Sequence, residues 1–145
     1  MRCADIMKTN AECLSEREDA RTAARKMRDG NLGFLPICDQ DGRVVGTVTD
    51  RDLAVRLVAE NMPGSTGVAD VMSREIVSCG PNDDIEEAER IMAREKKSRM
   101  LVVDESGKLL GVFSLSDIAQ HETEPARAAA TLKGITRREA RIPGA

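Results

Sequence analysis

The chain has 145 residues, a formal net charge of -3 and only two aromatic residues, Phe34 and Phe113. An acidic balance without stacking platforms argues against a nucleic-acid surface, and no run approaches the eighteen or so apolar residues of a membrane span. The length suits one compact module or two half-domains sharing a core.

Taken in chain order, the elements alternate. After an opening Ala4-Asp5-Ile6-Met7, the acidic pair Glu18-Asp19 marks a helix start, where the dipole favours negative charge. Ala20, Ala23, Ala24 and Met27 then recur at helical spacing. Leu35-Pro36-Ile37-Cys38 and Val44 to Thr49 read as strands, joined by Asp39-Gln40-Asp41-Gly42 in a hairpin. A helix is predicted from Asp50 to about Glu60, and residues 61–67 form a linker. The series then repeats. Ala69-Asp70-Val71-Met72 opens it, and Asp83-Asp84 precede Ile85, Ala88, Ile91 and Met92. Met100 to Val103 and Leu109 to Ser114 flank Asp104-Glu105-Ser106-Gly107, and a last helix runs from Ser116 to about His121.

The second series follows the first at a constant offset of 65 residue numbers, from Ala4 and Ala69 to Asp52 and Asp117. Such repetition has to be recognised before anything else about the fold. A copy of about sixty residues buries too little apolar area alone. The expected fold is therefore α/β (α+β), with the two copies packed about a pseudo-two-fold axis and a cleft between them. The expected boundaries are 1–60 for the first repeat, 61–67 for the linker, 68–121 for the second repeat and 122–145 for a helical tail. In that tail Ala129, Leu132, Ile135 and Thr136 share a stripe, Lys133, Arg137, Arg138 and Arg141 are basic, and Ile142 to Ala145 should fray.

Chemical content concentrates where the second strand of each copy meets its helix. Copy one reads Gly46-Thr47-Val48-Thr49-Asp50-Arg51-Asp52, and copy two reads Gly111-Val112-Phe113-Ser114-Leu115-Ser116-Asp117. The glycine permits close approach of a backbone or a ligand. The hydroxyl lies above a helix N-terminus, a place that favours anions, and the carboxylate can accept two hydrogen bonds from a vicinal diol. A ribose 5'-phosphate would satisfy such a pair. The same Thr49-x-x-Asp52 and Ser114-x-x-Asp117 spacings also make capping boxes. The two readings are compatible.

Other residues carry less. Cys3, Cys13, Cys38 and Cys79 lack CxxC spacing and read as reduced thiols. With no signal-peptide layout at the start, they suggest a cytoplasmic protein. His121 is the single histidine, and no nucleophile–base set or metal cluster can be assembled around it, so no enzyme is expected. The run from Asp83 to Glu87 reads as a solvated helix start rather than a cation site. Met7, Met27, Met72 and Met92 recur in register, as core residues would.

The Asp-Ile/Val-Met start, the hairpin and the Gly-h-x-Thr/Ser-x-x-Asp junction, present in both copies, resemble a tandem pair of cystathionine-β-synthase (CBS) domains over about residues 1 to 121. The resemblance implies a β-α-β-β-α unit per copy. It also implies a homodimer and an adenosine-containing regulatory ligand: AMP, ADP, ATP or S-adenosylmethionine. By the same resemblance Asp52 and Asp117 match the ribose-binding acid, and Thr49 and Ser114 match the hydroxyl that touches ribose or phosphate. Adenine would meet the backbone of Ala11-Glu12 and Ile76-Val77. Family members that bind phosphates often carry an arginine before the first hairpin strand. Copy two has Arg99 there, whereas copy one has Phe34. A guanidinium on phosphate gives roughly 1.5–3 kcal/mol per bond, so the Asp117 site should be the better phosphate site. Arg51, beside Asp52, offers copy one a charge from another direction. Arg99 can equally be read as a solvated arginine beside Lys96 and Lys97.

The adopted expectation is a stand-alone module that senses an adenosine-type ligand and signals to a protein partner not identifiable from sequence. The competing expectation is a structural interaction protein whose hydroxyl–aspartate pairs are caps and whose cleft is empty.

Overall fold

A computed structural model describes residues 1–121 and 125–136. A short helix α1 (Cys3–Ile6) leads into the first repeat: β1 (Leu14–Ser15), α2 (Ala20–Gly30), β2 (Phe34–Cys38), β3 (Val44–Thr49) and α3 (Asp50–Leu53). α3 runs on into a π-helical turn, Ala54–Val58. The second repeat opens on a 3-10 turn, Val68–Asp70, followed by β4 (Ser78–Cys79), α4 (Ile85–Glu95), β5 (Arg99–Val103), β6 (Leu109–Ser114) and α5 (Leu115–His121). α6 (Pro125–Thr136) follows. The fold is mixed α/β with two three-stranded sheets, ordered β1-β2-β3 and β4-β5-β6. β1 runs parallel to β2, and β2 antiparallel to β3 with a bulge at Ile37/Cys38. β4 runs parallel to β5.

Local chemistry explains these elements. Asp19 caps α2 by accepting from the Thr22 amide at 2.8 Å, and Asp84 caps α4 by accepting from the Glu86 amide at 2.8 Å. In the first hairpin Asp39 Oδ1 accepts from the Asp41 and Arg43 amides at 2.9 and 3.0 Å. Gly42 and Gly107 complete the two turns at φ 81° and 88°, the left-handed region open to glycine. The buried faces of the helices are Ala20, Ala23 and Met27 on α2, and Ile85, Ala88 and Met92 on α4. Ala24, expected on that face, is exposed.

Two compact units result, and they do not follow the sequence boundaries of the repeats. One comprises Glu12–Ile76 with Ser106–Leu109; the other comprises Met1–Ala11, Val77–Glu105 and the described residues from Leu110 on. Each repeat's opening segment thus joins the other repeat's hairpin. Orphan amides at the helix starts account for this. Ala20 and Arg21 of α2 donate to the Thr66 and Gly64 carbonyls at 2.8 and 2.9 Å, and Ile85 of α4 donates to Met1 at 3.0 Å. Val68 donates to Glu18, and its counterpart Cys3 to Asp83, both at 2.9 Å. The first unit's core holds Leu14, Leu35, Ile37, Val48, Val68 and Met72; the second's holds Ile6, Met92, Met100, Val102, Phe113 and Ile118.

Two expectations are corrected. Cys13 and Cys38 form a disulfide rather than two free thiols. Pairing of β1 with β2, Ser15 opposite Cys38, brings their Cα atoms to 5.7 Å, within bridging range. Cys3 and Cys79 are free and buried. In α6 the buried residues are Thr131 and Ile135, while Ala129 and Leu132 are exposed. The helix is turned because it lies on α4. There Thr131 Oγ1 donates to the buried Glu89 carboxylate at 3.3 Å, and a Cβ on Gly134 would come within 2.6 Å of Ala93. Arg137, Arg138, Arg141 and the stretch from Ile142 lie outside the described residues.

Candidate functional site

The strand-to-helix junctions recur as a matched pair, one in each unit. In the first, Thr49 is the N-cap of α3. Its Oγ1 accepts from the Asp52 amide at 3.1 Å, and Asp52 Oδ2 accepts from the Thr49 amide at 2.9 Å. In the second, Ser114 Oγ accepts from the Asp117 amide at 3.2 Å. Asp117 Oδ2 accepts from the Ser114 amide at 2.9 Å, and the Ser114 hydroxyl lies 3.0 Å from the same oxygen. Both are closed capping boxes. In both, the cap engages Oδ2 and leaves Oδ1 turned to other partners.

Those other partners are cations that the sequence reading did not single out. Lys8 Nζ lies 3.2 Å from Asp117 Oδ1, with the lysine side chain 68% exposed and the aspartate side chain 9%. Arg56 Nη2 lies 3.8 Å from Asp52 Oδ1, while its Nη1 donates to the Val71 carbonyl at 3.1 Å. The Asp52–Arg56 spacing of four on a helix was a legible signal. Lys8 carried none, because its contact with Asp117 joins distant parts of the chain.

Burial works against ionisation of Asp117. The Ser114 amide, the Lys8 ammonium and the Ser114 hydroxyl outweigh it and hold the carboxyl below its ordinary range. His121 Nδ1 sits 2.8 Å from the Asp117 carbonyl, on the last turn of α5.

The glycine of each junction admits a backbone. A Cβ on Gly46 would stand 2.7 Å from both Met72 Sδ and the Ser73 carbonyl, and one on Gly111 would stand 2.9 Å from Met7 Sδ and the Lys8 carbonyl. Ser73 and Thr47 exchange amide–carbonyl bonds at 2.9 and 2.8 Å, and Lys8 and Val112 at 2.8 and 3.1 Å. The loop after Met72 therefore reaches the Asp52 junction, and the loop after Met7 reaches the Asp117 junction.

The remaining candidates are more scattered. Arg99 opens β5 and is exposed; the carbonyl of its neighbour Ser98 accepts from the Leu115 amide at 2.9 Å, beside Ser114. Phe34, its counterpart, is half-buried opposite Thr49. Arg51 is exposed, and its amide donates to its neighbour Asp50 at 2.9 Å. Ala11 is half-buried, and Glu12 is exposed and paired with Lys26 at 3.1 Å. Ile76 is exposed, and Val77 packs on the second core, its carbonyl accepting from the Leu101 amide at 3.3 Å. Among the described residues no group of three or more His, Cys, Asp or Glu is placed to hold a metal ion, and no helix is long and apolar enough to cross a membrane.

Comparison with known proteins gives these junctions a setting. The family model described as CBS domain matches residues 3–59 and 68–124. The CBS domain-containing protein YhcV of Bacillus subtilis is 35% identical over 132 residues, 91% of this chain and 93% of that one. The structure of CBS domain protein PAE2072 from Pyrobaculum aerophilum, complexed with AMP, superposes with a TM-score of 0.76 at 22% identity, over 92% of this chain and 99% of that one. The CBS domain pair of protein MJ0100, in complex with 5'-methylthioadenosine and S-adenosyl-L-methionine, gives 0.75 at 22% identity, over 83% and 98%.

Proposed function

The chain belongs to the CBS domain family, and from that premise we propose that it is a non-catalytic regulatory module that binds an adenosine-containing ligand at Asp52 and Asp117. The ligand is AMP, ADP, ATP or S-adenosylmethionine; AMP and S-adenosylmethionine are bound by the similar proteins PAE2072 and MJ0100. The observation that carries the reading is the division of labour within each carboxylate. Oδ2 closes the cap while Oδ1 faces a cation outside it. An oxygen so placed can accept from a ribose hydroxyl without opening the helix start. Thr49, Ser114, Arg99 and Arg51 lie at or beside these junctions, and Ala11, Glu12, Ile76 and Val77 would border the base. Such a ligand acts only through differential affinity for two states of the module. A homodimer, a protein partner that reads the change and a cytoplasmic address complete the proposal. The Cys13–Cys38 bridge pulls against that address, since disulfides seldom persist in a reducing compartment.

A structural interaction protein is the competing reading, favoured by the fact that both caps are closed by the chain's own atoms. A thermal-shift panel separates the two. Ligand at about a hundred times its dissociation constant adds roughly 2.7 kcal/mol of stability. An adenosine compound should raise the midpoint of the natural chain by several degrees, and Asp117→Ala should reduce the rise. If no adenosine compound moves the midpoint and Asp117→Ala costs only the roughly 0.5–2 kcal/mol of a lost cap, the structural reading holds.

A further inference from the structure

Resting on the ligand-sensing reading, we propose that Lys8 sets the ligand class of the Asp117 site. Its ammonium holds Asp117 Oδ1 in the free protein and passes to the ligand's phosphate on binding, so the site selects phosphorylated adenosine compounds over the neutral nucleoside. The geometry behind this is specific. Asp117 Oδ2 is filled by the Ser114 amide and hydroxyl at 2.9 and 3.0 Å, so an arriving ribose hydroxyl must take Oδ1, 3.2 Å from Lys8 Nζ. Displacing an ammonium with a neutral hydroxyl leaves a cation without its anion. A phosphate on the same ligand restores the pairing.

Lys8 is built for that exchange. Its backbone is pinned to Val112 by two hydrogen bonds and held close over Gly111, which fixes the root of the side chain. The side chain itself is 68% exposed and ends a flexible four-carbon stem. The Asp52 site lacks this device. Ser73 stands where Lys8 stands in the other junction, and the cation near Asp52, Arg56, is tied to the Val71 carbonyl at 3.1 Å. Selection for phosphate therefore belongs to the Asp117 site.

The test is a titration of the 15N-labelled full chain with AMP and with adenosine, read at the Ser114 and Asp117 amides so that this site alone reports. In the natural chain AMP should bind tighter than adenosine by about tenfold or more, as a charge-assisted contact gives. Lys8→Met should collapse that ratio, weakening AMP and strengthening adenosine, and Lys8→Arg should keep it. A ratio unchanged in Lys8→Met overturns the role of Lys8 while leaving the ligand-sensing reading standing. Amides that move with neither ligand in any of the three chains overturn the reading itself, and the role of Lys8 with it.

Discussion

At the scale of single residues, Asp117 does two jobs with two oxygens, and its ionisation matters to both. Because its folded-state pKa lies below the unfolded one, the charged carboxylate stabilises the fold at every pH above the unfolded value. That contribution is lost as pH falls through about 3.9 toward the folded value. The natural chain should therefore be more stable than Asp117→Asn at pH 6, and the gap should narrow by pH 3 in urea unfolding. A gap independent of pH would mean that the carboxylate charge is idle. The hydroxyl–carboxylate spacing that marks this residue was plain in the sequence, since it is local. Lys8 was not, because only the fold brings it to Asp117. Cys3 and Cys79 make the opposite case of chemistry withheld. The Cys79 thiol is pushed up by its hydrogen bond with Cys3 and by burial, and both are shielded. Iodoacetamide should leave the two unmodified in the native protein at neutral pH and label them in denaturant.

At the scale of elements, α2 and α4 were legible from their apolar spacing, and the hairpins from their turn residues; the four-residue α1 was not, and the stripe read on α6 was displaced. The two-residue strands β1 and β4 carry too few residues to show a period. The exchange of opening segments rests on hydrogen bonds between Ala20 and Thr66, or Ile85 and Met1, that no local pattern encodes. The same blindness hid the Cys13–Cys38 bridge, which depends on β1 pairing with β2. That bridge closes a loop of sequence separation 25, and its reduction should cost about 3 kcal/mol in denaturant unfolding. The junction glycines are more demanding still. Gly46→Ala would drive a methyl into the Ser73 carbonyl, and overpacking of this kind costs typically 1–3 kcal/mol. At the end of α4, Lys96 occupies the left-handed region at φ 57°, so Lys96→Gly should raise stability by roughly 0.5–1 kcal/mol. An unchanged midpoint in Gly46→Ala would show that the Met72–Ser73 segment yields freely.

At the scale of the whole molecule, the two repeats keep one scaffold and differ in the groups around it. Asp52 has a tethered arginine and a serine nearby, whereas Asp117 has an exposed lysine and lies close to the start of β5. Repetition of the scaffold was the strongest signal in the sequence, and the Phe34/Arg99 difference was already visible there; the contrast between Lys8 at Asp117 and Arg56 at Asp52 became readable only in three dimensions. A module of this design would respond to one ligand through two unequal sites, each linked reciprocally to the state that a partner reads. The most direct measurement is calorimetric titration of AMP into the nucleotide-free natural chain and into the Asp52→Asn/Asp117→Asn double variant, with cooperative unfolding verified for both. Saturable binding by the natural chain, absent from the folded double variant, is the expected result. Undiminished binding by the double variant, or no heat from the natural chain with AMP or any other adenosine compound, would contradict the assignment of these two aspartates as ligand-binding residues.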